Sequence, residues 1–174
     1  MGKSELIATF LDELRVEDVL ILKARCYERE WVPFKAVDPI IDSLVDVLLE
    51  RRDATLVPIH VGSLVRLFPV LERVPELADA SKRDAIVTEP TELRRRAVAG
   101  FADLLRRIAK TTPIALFVDD LQWSDFDSVY VFEELLGEPE PPPLLLLGAY
   151  RDEEAETSPL LRSFSGLVVG RDEA

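Results

Sequence analysis

Cysteine and histidine are almost absent from this chain of 174 residues, which has Cys26 as its single cysteine and His60 as its single histidine. An internal disulfide is therefore excluded, and so is a metal site built from a cluster of cysteine and histidine ligands. Because a chain without disulfides fits a reducing compartment, we expect a cytoplasmic location.

Long hydrophobic runs are missing as well, since no apolar stretch approaches the roughly 18 residues of a membrane-spanning helix. The first residues contain no cationic stretch followed by an apolar core, so no signal peptide is visible. Positive charge is scarce, because 21 Lys and Arg stand against 33 Asp and Glu and give a net charge of −12. Binding to nucleic acids and anionic membranes depends on cations, so we expect neither as a direct partner.

Three short, continuous apolar segments have the composition of buried strands, at residues 19–26, 114–118 and 144–150. Segments with helical spacing lie between them, and the clearest is 91–110, with Thr91 as its expected N-cap. This alternation predicts an α/β fold in three layers, with a parallel sheet covered by helices on both faces.

The other elements are less regular in sequence. Pro69 is expected to interrupt one helix, and Ser124 is expected to cap another that Gly137 ends. These further predicted elements are helices at 3–14, 34–50, 62–74 and 124–136, a surface loop at 78–90, a helical segment at 159–164 and a short strand at 167–169.

The triplet Gly2-Lys3-Ser4 opens the first predicted helix and matches the end of the phosphate-binding loop G-x-x-x-x-G-K-[ST]. Backbone N–H groups and the helix dipole favour phosphate at such a position. There the Lys3 side chain can reach phosphate oxygens and the Ser4 hydroxyl can bind Mg²⁺. So short a motif also arises by chance, so it needs partners elsewhere in the chain.

Charged residues follow two of the predicted strands. Asp119 and Asp120 end the second strand, and Arg151 follows the third. Ligands of parallel sheets bind beyond the carboxyl ends of the strands. At that edge Asp119 can bind Mg²⁺, Asp120 can orient or deprotonate a water molecule, and Arg151 can sense a γ-phosphate. The alternative is a pair of solvated acids and a surface arginine paired with a neighbouring carboxylate.

The segment LFVDDLQWSD at 116–125 resembles the Walker B segment of the signalling ATPases called STAND, and more narrowly their AAA-type domain related to origin-recognition ATPases. The resemblance covers nearly the whole chain. In bacteria this domain occurs in large regulators, often beside serine/threonine kinase domains or helical repeats. The other segments that resemble the family are 24–30, 32–36, 67–71, 92–96 and 148–154.

The resemblance implies a domain that binds ATP with Mg²⁺ and hydrolyses it slowly as a conformational switch. Lys3 and Ser4 fall on the phosphate and Mg²⁺ positions, Asp119 on the Mg²⁺ aspartate, Asp120 on the catalytic acid and Arg151 near the sensor 1 position. The family's sheet order is 5-1-4-3-2, with the phosphate-binding loop after strand 1. Kinase or helical-repeat domains of a larger regulator are the partners that the resemblance implies, besides the nucleotide.

The chain supplies no counterpart of strand 1 and only the last part of the loop. We therefore expect residues 1–174 to form a single P-loop NTPase-like domain that is incomplete at both ends. Losing two or three charged hydrogen bonds of about 1.5–3 kcal/mol each would weaken phosphate binding about a thousandfold. We therefore expect this polypeptide to bind ATP poorly and to hydrolyse little of it.

Two other interpretations remain open. A non-catalytic interaction module would dock a partner through the sheet edge and the acidic surface, and it would not respond to Asp119→Asn or Asp120→Asn. A gene fragment or a mis-assigned start site would be recognised by in-frame upstream codons for a strand and the rest of the loop. Trp31, Phe34 and Trp123 are expected to be packing residues in any of these cases.

Overall fold

The computed structural model describes residues 3–28, 32–137 and 139–151, of which Lys3 and Ser4 are described by their backbone alone. Within these ranges the chain forms three β-strands, β1 (Leu20–Arg25), β2 (Ile114–Asp119) and β3 (Leu144–Gly148). The α-helices of the same ranges are α1 (Lys3–Val16), α2 (Asp38–Arg51), α3 (Val61–Leu67), α4 (Pro75–Ser81), α5 (Pro90–Ala109) and α6 (Phe126–Gly137).

The three strands form a parallel sheet in the order β1-β2-β3. Leu20 lies opposite Ile114, which lies opposite Leu144, so the strands begin level with one another. The predicted α/β fold with a parallel sheet is therefore confirmed. Since the carboxyl ends are also level, residues that follow the three strands meet along one edge of the sheet.

Helices flank the sheet, as its burial pattern requires. Leu22 and Ala24 are buried on the face of β1 that belongs to the main core, whereas Lys23 and Arg25 point the other way and are exposed. On the core face α2 packs against β1 and α5 against β2. The first helix, α1, also packs against β1, and its buried Leu11 lies outside that core cluster, which places α1 on the opposite face.

The helix predictions are confirmed most closely for α5, which differs by one residue at each end from the predicted segment. Its expected cap is wrong, because the carboxylate of Glu89 accepts hydrogen bonds from the N–H groups of Thr91 and Glu92. Pro90 follows Glu89 and fixes the first helical residue there, since proline suits the first turn of a helix. The cap therefore lies two residues before Thr91.

Proline residues also decide the region between α2 and α5. Pro69 ends α3 as predicted, and residues Pro69–Arg73 continue as a 3₁₀-helix. The surface loop predicted at 78–90 is wrong in its first part, because α4 begins at Pro75 and ends at Ser81. The sequence of α4 is mostly polar and has a single buried residue, Leu77, so it lacks the apolar spacing that indicates a helix. The elements predicted at 159–164 and 167–169 lie outside the described residues.

Gly100 lies where α5 passes the chain just before α3. A Cβ at this position would be 2.8 Å from the carbonyl oxygen of Ile59, which is backbone and cannot move aside alone. We expect Gly100→Ala to lower the free energy of unfolding by about 1–2 kcal/mol, because the overpacking exceeds the gain of about 1 kcal/mol in helix propensity. Urea denaturation of the variant measures this change.

Gly137 provides the matched control for that prediction. It is the last residue of α6, and a Cβ added there meets nothing within 4 Å. Gly137→Ala should therefore leave the stability unchanged or raise it slightly. Equal effects of the two substitutions would show that the contact with Ile59 does not limit the size of residue 100.

Within the described ranges, none of the helices is both long and apolar enough to span a membrane.

Candidate functional site

The carboxyl edge of the sheet brings together the residues that follow β1, β2 and β3. Arg25 at the end of β1 lies opposite Asp119 at the end of β2. The N–H of Ala149, just after β3, donates to the carbonyl of Val118 over 2.9 Å, and the N–H of Leu121 donates to the carbonyl of Ala149 over 2.9 Å. These backbone bonds hold the segment after β3 against the segment after β2.

Asp120 lies at the centre of this edge, in a left-handed backbone conformation with φ of 51°. Its Oδ2 accepts a hydrogen bond of 3.0 Å from Nε of Arg25 and lies 3.0 Å from Nη2 of the same guanidinium, with which it forms an ion pair. The side chain of Asp120 is 17% exposed and that of Arg25 is 57% exposed, so the pair is partly shielded from water. The hydrogen bond and charge of Asp120, with the charge of Asp119, raise the pKa of Arg25 above its ordinary value.

Asp119 is half-buried at the end of β2, and its Oδ1 accepts a hydrogen bond of 3.0 Å from the N–H of Asp120. Its other oxygen accepts no hydrogen bond from the described residues. A carboxylate oxygen at the carboxyl end of a parallel strand is a ligand that Mg²⁺ accepts. The described part of the chain has no group of three or more histidine, cysteine or acidic residues arranged to hold a metal.

Gln122 connects the ends of two strands and was not singled out by the sequence. Its side chain is buried in the 3₁₀ turn Leu121–Trp123 that follows Asp120. The Nε2 donates to Oδ1 of Asp120 over 3.4 Å, and the Oε1 accepts from the backbone N–H of Arg151 over 3.3 Å. Arg151, by contrast, is exposed, so its backbone rather than its guanidinium makes the described contact with this edge.

Asp125 caps α6, and Ser124 does not, which corrects the sequence prediction. The Oδ1 of Asp125 accepts from the N–H of Ser128 over 3.0 Å, and its Oδ2 accepts from the Ser128 hydroxyl over 2.7 Å. The Ser124 hydroxyl is buried and has no hydrogen-bond partner among the described residues. An aspartate three residues before a serine is the sequence signal that could have located this cap.

The same carboxylate also fixes the loop that follows β1. Its Oδ1 accepts from the N–H of Phe34 over 3.0 Å, and its Oδ2 accepts from the N–H of Lys35 over 2.8 Å. The N–H of Ala36 donates to the hydroxyl of Ser128 over 3.1 Å. Burial tends to raise the pKa of Asp125, but its four hydrogen bonds outweigh this effect and lower the pKa.

Two packing predictions near this loop agree with the structure. Phe34 is buried and contacts the ring of Phe68 edge-on, with 5.3 Å between ring centroids. Trp123 is partly buried against the main core. Phe34 has a φ of 61°, an uncommon value for a bulky residue, and the hydrogen bond from its N–H to Asp125 holds it there. Trp31 lies outside the described residues.

The predicted phosphate-binding residues are only partly described. Gly2 lies outside the described residues, and Lys3 and Ser4 form the start of α1 without described side chains. The end of α1 is joined to β1 by a tight turn at residues 17–19, and α1 packs against β1.

A parallel three-stranded sheet flanked by helices, with a charged carboxyl edge, defines an α/β protein with a P-loop NTPase-like fold. Comparison with protein-family models gives a match to the AAA ATPase domain over residues 1–147. The chain belongs to the AAA ATPase domain family. No curated protein matches it, and no solved structure does.

Proposed function

We propose that this chain is an ATP-binding domain of the STAND type from a bacterial signalling regulator. In this proposal it binds ATP with Mg²⁺ and acts as a nucleotide switch with slow hydrolysis. The observation that carries the proposal is the match to the AAA ATPase domain, combined with Asp119 and Asp120 at the carboxyl end of β2. We also propose a cytoplasmic location and neighbouring kinase or helical-repeat domains, which the sequence resemblance supports.

The roles of the residues are those that the sequence resemblance implies. In the proposal Lys3 pairs with phosphate oxygens, while the Ser4 hydroxyl and the Asp119 carboxylate bind Mg²⁺, which neutralises the charge of the phosphates. The Asp119 oxygen that accepts no hydrogen bond from the described residues fits this role. The expectation that Gly2-Lys3-Ser4 binds phosphate weakly stays a prediction, because their side chains and the backbone of Gly2 lie outside the described residues.

Slow hydrolysis is supported by the contacts of Asp120. An acid that orients or deprotonates water needs a free carboxylate oxygen directed at that water. Here Arg25 donates a hydrogen bond to Oδ2 and forms an ion pair with it, and Gln122 donates to Oδ1. Asp120 is therefore engaged on both oxygens, and we propose that hydrolysis requires Arg25 to release it.

The experiment for this proposal is a titration with a fluorescent ATP analogue, with and without Mg²⁺. We expect Lys3→Ala to weaken binding about tenfold, the value of one charged hydrogen bond. Asp119→Asn should remove the part of the affinity that depends on Mg²⁺, because an amide is a poorer ligand for Mg²⁺ than a carboxylate. Nucleotide-dependent melting of the same variants provides a second measurement.

The controls are Lys23→Ala and Asp46→Asn, which remove the same charges at exposed positions away from the edge. Both should bind the analogue as the unchanged chain does. If the unchanged chain shows neither binding nor a melting shift at millimolar nucleotide, the ATP-binding proposal is contradicted. If all four variants lose affinity equally, the assignment of Lys3 and Asp119 is wrong.

A non-catalytic interaction module is the second candidate, and one observation favours it. Leu145 in β3 is 41% exposed, and among the described strands β3 pairs with β2 alone. An apolar strand at a sheet edge is a surface to which another chain can add. This function predicts that Asp119→Asn changes neither nucleotide binding nor melting, which is the opposite of the outcome expected above.

A further inference from the structure

Gln122 is the buried polar side chain that links two strand ends at the candidate site. It is 5% exposed, so solvent cannot easily replace its hydrogen bonds. One end of its amide contacts the Asp120 carboxylate, and the other end contacts the backbone N–H of Arg151, 29 residues further along the chain. It therefore joins the end of β2 to the segment after β3 through one side chain.

The chemistry of the two contacts allows a single orientation of the amide. An ionised carboxylate accepts hydrogen bonds and cannot donate, and a backbone N–H donates and cannot accept. The Gln122 nitrogen must therefore face Asp120 and its oxygen must face Arg151. Reversing the amide would bring two acceptors together at one end and two donors at the other, with both hydrogen bonds lost in a buried place.

The neighbouring contacts make this link stiff. The N–H of Leu121, beside Gln122, donates to the carbonyl of Ala149, two residues before Arg151, so the backbone already attaches these two segments to each other. Arg25 holds Oδ2 of Asp120, and Gln122 holds Oδ1, so the direction of the carboxylate is set by these two side chains. The contact with Arg25 can be broken without loss of the contact with Gln122.

We propose that Gln122 is a positioning residue that ties the direction of the Asp120 carboxylate to the position of the backbone at Arg151. This inference rests on the proposed function, in which Asp120 acts on water and a phosphate lies near the end of β3. When Arg25 releases Asp120, Gln122 keeps one oxygen of the carboxylate in place. A phosphate that moves the backbone after β3 then also changes the direction of the Asp120 carboxylate.

Three variants separate the two ends of the link. Gln122→Glu keeps an acceptor for the N–H of Arg151 but replaces the donor to Asp120 with another carboxylate oxygen. Arg151→Pro removes the N–H that Gln122 accepts and leaves the donor to Asp120 intact. Arg151→Ala is the matched control, because it removes the same guanidinium as the proline variant and keeps the N–H.

The first measurement needs no nucleotide and uses the ¹⁵N-labelled chain. We expect the side-chain amide protons of Gln122 to exchange slowly with water and to shift on Asp120→Asn. Arg151→Pro should also shift them and should move the backbone resonance of Asp120, whereas Arg151→Ala should leave both in place. If the proline and alanine variants give the same spectra in this region, the link to Arg151 is overturned, whatever the nucleotide data show.

The second measurement is the rate of ATP hydrolysis beside nucleotide affinity. We expect Gln122→Glu to lower kcat about tenfold relative to the unchanged chain, and Arg151→Pro to lower it about tenfold relative to Arg151→Ala. In each comparison the Kd of the nucleotide should change by less than about twofold. A fall in affinity equal to the fall in kcat would overturn the positioning role. If the unchanged chain binds no nucleotide, the proposed function fails, and the spectra still decide whether Gln122 couples Arg151 to Asp120.

Discussion

Asp125→Ala is expected to lower the free energy of unfolding by about 3 kcal/mol, the largest stability effect among the substitutions considered. The variant loses four hydrogen bonds of 2.7–3.0 Å that join the start of α6 to the loop after β1. The N–H groups of Phe34 and Lys35 then lose their acceptor in a partly buried place, and the uncommon backbone conformation of Phe34 loses its support. Urea denaturation measures the change.

Asp127→Ala is the control for this substitution, because Asp127 lies in the same first turn of α6. Its ion pair with Arg94 is partly exposed, with 28% and 50% of the two side chains accessible, so we expect a loss below about 1 kcal/mol. Equal losses for the two variants would mean that charge near the helix start, rather than the clamp on the loop, is what stabilises the fold.

The contribution of Asp125 also depends on pH in a defined direction. Its pKa is lowered in the folded chain, so the stabilisation is complete above the pKa of about 3.9 that an unfolded aspartate has, and it is lost as the pH falls through the folded pKa. Asp38 contributes to the pH dependence of stability in the opposite direction, because burial, and after it the charges of Asp42 and Asp125, raise its pKa to about 6. The difference between the unchanged chain and Asp125→Asn should therefore shrink below about pH 4.

Arg25→Met is expected to raise the rate of ATP hydrolysis by about ten- to a hundredfold, within the range that a positioned acid or base contributes. Methionine keeps much of the apolar stem of arginine but removes the hydrogen-bond donor to Oδ2 of Asp120 and the positive charge paired with it. The carboxylate is then free to act on water while Gln122 still holds its other oxygen. Steady-state release of phosphate at saturating ATP measures the effect.

Arg94→Met serves as the control, since Arg94 forms an ion pair with Asp127 outside the sheet edge. It should leave hydrolysis unchanged. Asp120→Asn combined with Arg25→Met should return the rate to the original level or below it, because the gain depends on the released carboxylate. A faster double variant, or no gain from Arg25→Met alone, would contradict the interpretation that Arg25 restrains the acid.

The strands and the charged residues after them could be predicted from local sequence. The apolar runs that became β1, β2 and β3 leave a direct trace in composition, and β2, which lies between the other two strands, is the one that is mostly buried. Asp119 and Asp120 were therefore placed correctly at a strand end. The roles of Gly2, Lys3, Ser4, Asp119, Asp120 and Arg151 in ATP binding remain predictions.

The caps show where local reasoning was insufficient. Thr91 and Ser124 are favourable residues at a helix start, yet Glu89 and Asp125 cap the two helices. Pro90 sets the start of α5. At α6, Asp125 accepts hydrogen bonds from the N–H groups of a loop distant in sequence as well as from its own helix. The preferences of residue types for the N-cap position are averages over many proteins, so they do not predict which contact caps a particular helix.

The amino-acid sequence by itself determined the α/β class, the parallel sheet and the positions of the acids at the end of β2. These features follow from the hydrophobicity and spacing of residues that are close together in the sequence. Only the tertiary structure decided which groups those acids meet. Arg25 and Asp120 are 95 residues apart, and Phe34 and Asp125 are 91 apart, so each pair exists only because β1 and β2 lie side by side in register. A carboxylate's partners depend on that register, and no local pattern in the chain specifies it.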